Sequence, residues 1–242
     1  MPEGDELAPR LVQVLSVVHL VYTTGHAAPS GAQLMRLDLA DRGAELARML
    51  RGLLPADPDV AGLLALVLLT DARRDARVDP EGRLLLLDDQ DRSRWDGAAI
   101  AEGVALVRES LLGRPTGRFG LMAAIAAVHD ESPSWGATDW REILGLYDLL
   151  REVWRSPVVE LNRAIALSFA VGPKQGLDRL DELAADPRLA RYPYLAAARA
   201  DCLRRLRRVA DARIAYDEAL ILTDNEVERE FLMEAARALD GW

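Results

Sequence analysis

Catalysis needs convergent reactive groups, and this chain offers few. His19, His26 and His129 are its only histidines, and they lie far apart, without the two-histidine spacing of a helical zinc site. Cys202 is the single cysteine, so neither an intramolecular disulfide nor a cysteine-based metal cluster can form. Its setting, Arg199-Ala-Asp-Cys-Leu, reads as a helix face, with the thiol as a small core group. A phosphate-cradling glycine loop ahead of Lys-Ser/Thr, a dinucleotide fingerprint and a serine nucleophile elbow are all missing from the sequence. The expectation is a protein without catalysis, cofactor or metal.

Two polar clusters remain. One is Asp71-Ala-Arg-Arg-Asp-Ala-Arg77, the other Asp88-Asp-Gln-Asp-Arg-Ser-Arg-Trp-Asp96. Helical spacing places Asp71 four residues before Asp75 and Arg73 four before Arg77. The acidic loop is expected to return against Arg73 and Arg74 as a charge-paired corner, with a binding site as the alternative. Arg73, Arg74, Asp88, Asp89, Asp91, Arg92, Arg94 and Trp95 are therefore the candidate contacts. The acids do not form a calcium loop, because the turn glycine and closing glutamate are absent. His129 closes an alanine-rich helix, where a protonated imidazole would favour the C-terminal dipole. Asn162-Arg163 interrupts an otherwise apolar helix, and Asn162 is expected to satisfy groups in an adjoining turn. Asp139 and Trp140 stand where another helix opens. Isolated tryptophans such as Trp95, Trp135, Trp140 and Trp154 read as core or helix-junction residues.

Elements that could position these groups are nearly all helical, because apolar residues recur at helical spacing between short Pro, Gly or Asp interruptions. Helices are expected at about 9–24, 32–54, 57–77, 93–112, 118–130, 138–154, 156–170, 172–185, 193–205, 209–222 and 226–239. Asp57-Pro58 is a cap followed by a first-turn proline, and the helix it starts is apolar nearly all round from Val60 to Leu69. Such a helix belongs in the centre of a domain. Asp79-Pro-Glu-Gly-Arg makes a turn, and Leu84 to Leu87 is the one segment expected to be extended. In the last third, Ala212, Tyr216 and Ala219 follow the packing pattern of a tetratricopeptide second helix. Gly176, Leu180 and Leu183 occupy the same slots 36 residues earlier, near the ~34-residue period of such repeats. The usual turn glycine is Arg207 here. The fold class is all-α: an antiparallel helix-pair array with tetratricopeptide-like repeats. An N-terminal part, 1–135, and a repeat part, 136–242, are expected to form one continuous domain.

Composition fits that picture. Half of the 242 residues are hydrophobic and only 5% aromatic, with abundant Ala, Leu and Arg, all good helix formers. A net charge of -9 repels a phosphate backbone, so direct nucleic-acid contact is not expected. Lys174 is the only lysine, a bias that reflects genomic base composition rather than a binding device. The acidic N-terminus has no signal-peptide pattern and the apolar runs are too short for a bilayer, so a cytoplasmic protein is expected.

Five motifs, in order, resemble signatures of one group of bacterial extracytoplasmic-function sigma factors, those with a long tetratricopeptide-like C-terminal extension. They are Leu53 to Arg77, Leu84 to Asp96, Ala123 to His129, Thr138-Asp-Trp140 and Ser156 to Arg163. The resemblance runs from about Leu11 to the C-terminus. Tyr22-Thr-Thr-Gly-His26 departs from the group's aromatic-Asn-Glu-Gly-Tyr segment. Gly117-Arg-Phe-Gly-Leu-Met122 departs from its Gly-Pro-Tyr-Gln-Leu-Gln. The two promoter-binding sigma domains have no counterpart among these residues. The resemblance therefore implies a regulatory, protein-interaction extension acting on sigma domains in cis or in trans, with core RNA polymerase as a further partner. A small-molecule-sensing helical domain and a stand-alone repeat adaptor are the alternatives.

Overall fold

The computed structural model describes residues 4–113 and 116–241. Among them are eleven α-helices: α1 Gly4–His26, α2 Leu37–Leu53, α3 Pro58–Asp71, α4 Gly97–Leu112, α5 Arg118–Glu131, α6 Trp140–Val153, α7 Pro157–Ala170, α8 Pro173–Leu183, α9 Pro193–Arg205, α10 Val209–Leu222 and α11 Glu226–Arg237. Successive helices pack in pairs, as the punctuation predicts. The chain divides into two compact units. One comprises 1–29, 33–76 and 91–131, and the other 30–32, 77–90 and 132–242.

The first unit is built round α3. All ten residues from Val60 to Leu69 are buried, so α1, α2, α4 and α5 cover it on every side. Asp57 accepts from the Asp59 and Val60 amides at 3.0 Å and Pro58 opens the helix, which fixes its start. Gly62 lets α4 and α5 approach closely. A Cβ there would sit 2.5 Å from the Gly120 nitrogen and 2.7 Å from Ser110 Oγ. Helix α3 stops at Asp71, six residues short of the sequence expectation, and Arg74–Ala76 form a 3-10 turn. The helical spacing expected of Asp71 and Asp75, and of Arg73 and Arg77, is therefore broken by the end of α3.

In the second unit the core is shared by α7 to α11, including Leu161, Leu180, Leu203, Tyr216 and Leu232. Ala212, Ala215 and Ala219 lie at this core, where small side chains admit the neighbouring helix. Cys202 is a buried core thiol. The expected extended segment reduces to a single antiparallel bridge between Val78 and Leu84, with the Leu85 amide donating to the Arg77 carbonyl at 2.9 Å. Gly82, at φ +85°, closes the turn below it, and Asp79 accepts from the Glu81 and Arg83 amides. A two-stranded parallel sheet occurs elsewhere: β1 Ser30–Gly31 pairs with β2 Asp224–Asn225. No periodic pattern marks two strands of two residues.

Arg207 takes the turn between α9 and α10 at φ +59°. A left-handed conformation costs a side-chain-bearing residue roughly 1–2 kcal/mol, while glycine adds backbone entropy to the unfolded chain. Arg207→Gly is expected to raise stability by about 0.5–1 kcal/mol, read as a higher urea midpoint at unchanged m.

Candidate functional site

Three of the sequence motifs meet in the first unit. Arg73 follows the end of α3, Arg92 and Trp95 come from the loop before α4, and His129 lies in the last turn of α5. The loop is anchored to α3 by the Asp96 amide, which donates to the Ala72 carbonyl at 2.9 Å. That bond brings Trp95 beneath the end of α3, 8% exposed. The Arg92 guanidinium stacks over the indole at 4.3 Å, with Arg73 at 5.9 Å from the ring centre. Arg92 also donates to the His129 carbonyl at 2.8 Å. It is therefore a guanidinium, not the imidazole, that satisfies a carbonyl at the C-terminal end of α5.

At the centre lies Asp130, which sequence reasoning passed over. Its side chain is fully buried, and Arg73 Nε approaches a carboxylate oxygen at 3.4 Å as an ion pair. Neither carboxylate oxygen accepts a hydrogen bond among the described residues, and the Trp95 indole N–H is likewise buried without an acceptor. Burial pushes the Asp130 carboxyl up to about 6, against the pull of Arg73 and Arg92. Burial, with Arg73 and Arg92 beside it, brings His129 down to about 4. The imidazole is neutral at pH 7, and the protonated cap expected there does not form. A signal for Asp130 existed: it continues the buried row Phe119, Ala123, Ala126 at helical spacing.

The remaining candidates are held elsewhere. Arg74 donates to Asp41 at 2.6 Å and to Asp71 at 2.7 Å, and the buried Tyr22 hydroxyl also donates to Asp71, at 3.3 Å. Arg73 and Arg74 thus take their acids from helices, and the charge-paired corner with the acidic loop is not what positions them. The loop's own carboxylates cap local structure instead. Asp91 accepts from the Ser93 amide and hydroxyl, and Asp96 caps α4 through the Ala98 and Ala99 amides. Asp88, Asp89 and Arg94 are exposed. In the second unit Asp139 caps α6. Trp140 stacks on Phe169 at 4.4 Å, and Arg205 lies over the same Phe169 ring at 4.2 Å. Arg163 donates to Asp148 at 2.6 Å. Asn162 is half-buried in α7.

Residues 10–111 match a family of unknown function (DUF6596). The matched segment is what this chain shares with that family. It contains Arg73, Arg92 and Trp95, whereas His129 and Asp130 lie beyond the matched residues. An uncharacterized protein of Rhizobium meliloti (strain 1021) is 38% identical over 231 residues, covering 96% of this chain and 54% of the relative. The chain thus spans about half the length of that relative. No solved structure matches. No helix among the described residues is long and apolar enough to cross a membrane.

As it stands, the cluster built on the DUF6596 segment is a locked junction of three helix ends rather than an open cleft. Its titration gives a measurable signature. His129 and His19, the latter also brought down to about 4 by burial and Arg118, bind protons more readily when unfolded. Their stability contribution is present above 6.5 and is lost as pH falls toward 4. Asp130, raised from 3.8 to about 6, works in the opposite sense and loses stability as pH rises through 6. Between pH 5 and 6 the two histidines outweigh the one carboxyl by one proton. Stability should climb with pH by about 1.4 kcal/mol per unit. Asp130→Asn should roughly double that slope, and His129→Gln should bring it near zero, both read from urea titrations across that range.

Proposed function

We propose that this chain is the regulatory, protein-interaction extension of an extracytoplasmic-function sigma factor, acting on transcription initiation through sigma domains in cis or in trans. The observation that carries the reading is the agreement of five ordered motifs, three of which converge on one junction. Arg73, the pair Arg92 and Trp95, and His129 come from three separate motifs, and their identities are explained by a shared packing arrangement round Asp130. A signature explained by packing is what a common fold would leave, and the function follows from the appendage setting that the resemblance implies. Two further facts support it. The second unit is an array of paired helices with small-residue seams, the construction that presents extended faces to proteins. The Rhizobium meliloti relative is nearly twice as long as the aligned stretch, which leaves room for other domains.

The test is promoter-dependent transcription with purified core RNA polymerase and a sigma factor that carries this extension. Removing the segment equivalent to this chain, or adding this chain to the truncated factor, should change transcript yield several-fold. Equal yield with and without the segment, at matched protein levels, would reject the regulatory role.

A further inference from the structure

A cleft of about 350 Å³ opens in the second unit, between the end of α6, the start of α7 and the turn after α8. That is the lower end of the range that small-molecule sites occupy, roughly 300–1,000 Å³. Its walls are charged rather than apolar. Arg151 of α6 pairs with Glu160 of α7 at 3.0 Å. Beyond α8, Asp186 accepts from the Arg188 guanidinium through both carboxylate oxygens, at 3.0 and 2.7 Å, and from the Arg188 amide at 2.9 Å. Each acid thus fixes one guanidinium beside the cleft and leaves it further N–H groups to donate. Two lining charges remain, one of each sign. Glu152 and Arg155 are exposed, and neither has an ion-pair partner among the described residues.

This charge pattern decides what fits. Three arginines against three acids leave no net positive charge for a nucleic-acid backbone. The acids do not make a metal site either: no group of three or more His, Cys, Asp or Glu among the described residues could hold an ion. The start of α7 adds little for a lone anion. Pro157 has no N–H, the Val158 amide donates to Ser156 Oγ at 3.3 Å, and the Glu160 amide donates to the Ser156 carbonyl at 3.2 Å. A lone anion would leave Glu152 uncompensated and repel it, and a lone cation would do the same to Arg155. A ligand that carries both charges compensates both residues at once. Pro157 and Leu183 are the apolar part of the lining, where an aliphatic side chain is covered.

We propose that the cleft binds a small zwitterion, an aliphatic α-amino acid, with its carboxylate on Arg155 and its ammonium group on Glu152. Both residues are exposed, so affinity is weak, roughly 1–10 mM. Titration of the whole chain with L-leucine, followed by amide chemical shifts, tests it. Saturable shifts in residues 151–160 and 183–188 are expected. Isocaproate and isoamylamine, which are leucine without its ammonium group and without its carboxylate, should each bind about five-fold more weakly or worse. These analogues are read on the unaltered chain, so the comparison does not depend on how a variant folds. Glu152→Gln and Arg155→Gln should each weaken leucine binding by about five-fold or more, with Tm unchanged. No saturable shift in these segments up to roughly 100 mM leucine overturns the proposal. So does an analogue that binds as tightly as leucine, and so does binding that both substitutions leave intact. None of these results bears on transcription, so this proposal and the sigma-factor reading fail separately.

Discussion

Arg73→Ala is expected to cost about 1 kcal/mol at pH 5 and about 3 kcal/mol more at pH 8. The pH-independent part is lost packing of the guanidinium stem beside Trp95. The pH-dependent part comes from Asp130, whose carboxylate is fully buried with Arg73 as its ion-pair partner. Near pH 5 the carboxyl, at about 6, already holds its proton and needs no counter-charge. At pH 8 it is ionised, and losing a cation at this distance raises a buried carboxyl by about 1–3 units. Each unit is 1.36 kcal/mol of stability above the original titration. Removing one partner of a buried pair costs more than removing both. Arg73→Met with Asp130→Leu should therefore recover most of the loss at pH 8. Urea melts at the two pH values decide the matter: an equal cost at both would show that Arg73 is not compensating a buried charge.

Trp95→Ala should be the most damaging single change in the first unit, at about 3–5 kcal/mol, from a large buried ring and the cavity it leaves. Two further contacts go with it. The indole is the platform under Arg92, and Arg92 holds the His129 carbonyl at the end of α5. Trp95→Phe provides the control. The Trp95 N–H has no acceptor among the described residues, so the phenyl ring sacrifices no hydrogen bond and keeps a face for the guanidinium. It should cost about 1–2 kcal/mol, for reduced volume alone. A phenylalanine variant as unstable as the alanine one would mean that the indole nitrogen matters.

Helices were legible because their information is local. The spacing of apolar residues, Asp57-Pro58 and Ser156-Pro157 predict the starts of α3 and α7, and the structure places them within a residue or two. The all-apolar stretch from Val60 to Leu69 predicts the buried centre of the first unit for the same reason. The candidate site was legible only in part. The residue types at Arg73, Arg92 and Trp95 marked something unusual, but partners brought together by tertiary packing leave no local trace. Asp130 is marked only by its place on the buried row of α5, and its residue type argues the other way, since a carboxylate beside His129 at a helix end reads as solvated until the neighbouring segments are in place. The pairing of β1 with β2 joins residues almost two hundred positions apart, and four residues carry no pattern. His129 shows the reverse error: a local rule for helix ends predicts a cation, and burial between two arginines removes it.

Helix α3, with every residue from Val60 to Leu69 buried, also limits how the first unit can open. Fraying needs an exposed edge from which to begin, and this helix has none along those ten positions. Its amide protons should exchange with deuterium only through opening of the whole unit, and so be its slowest. A partner that slows exchange in α3 would then be reporting on the stability of the entire unit, even if it bound far from that helix.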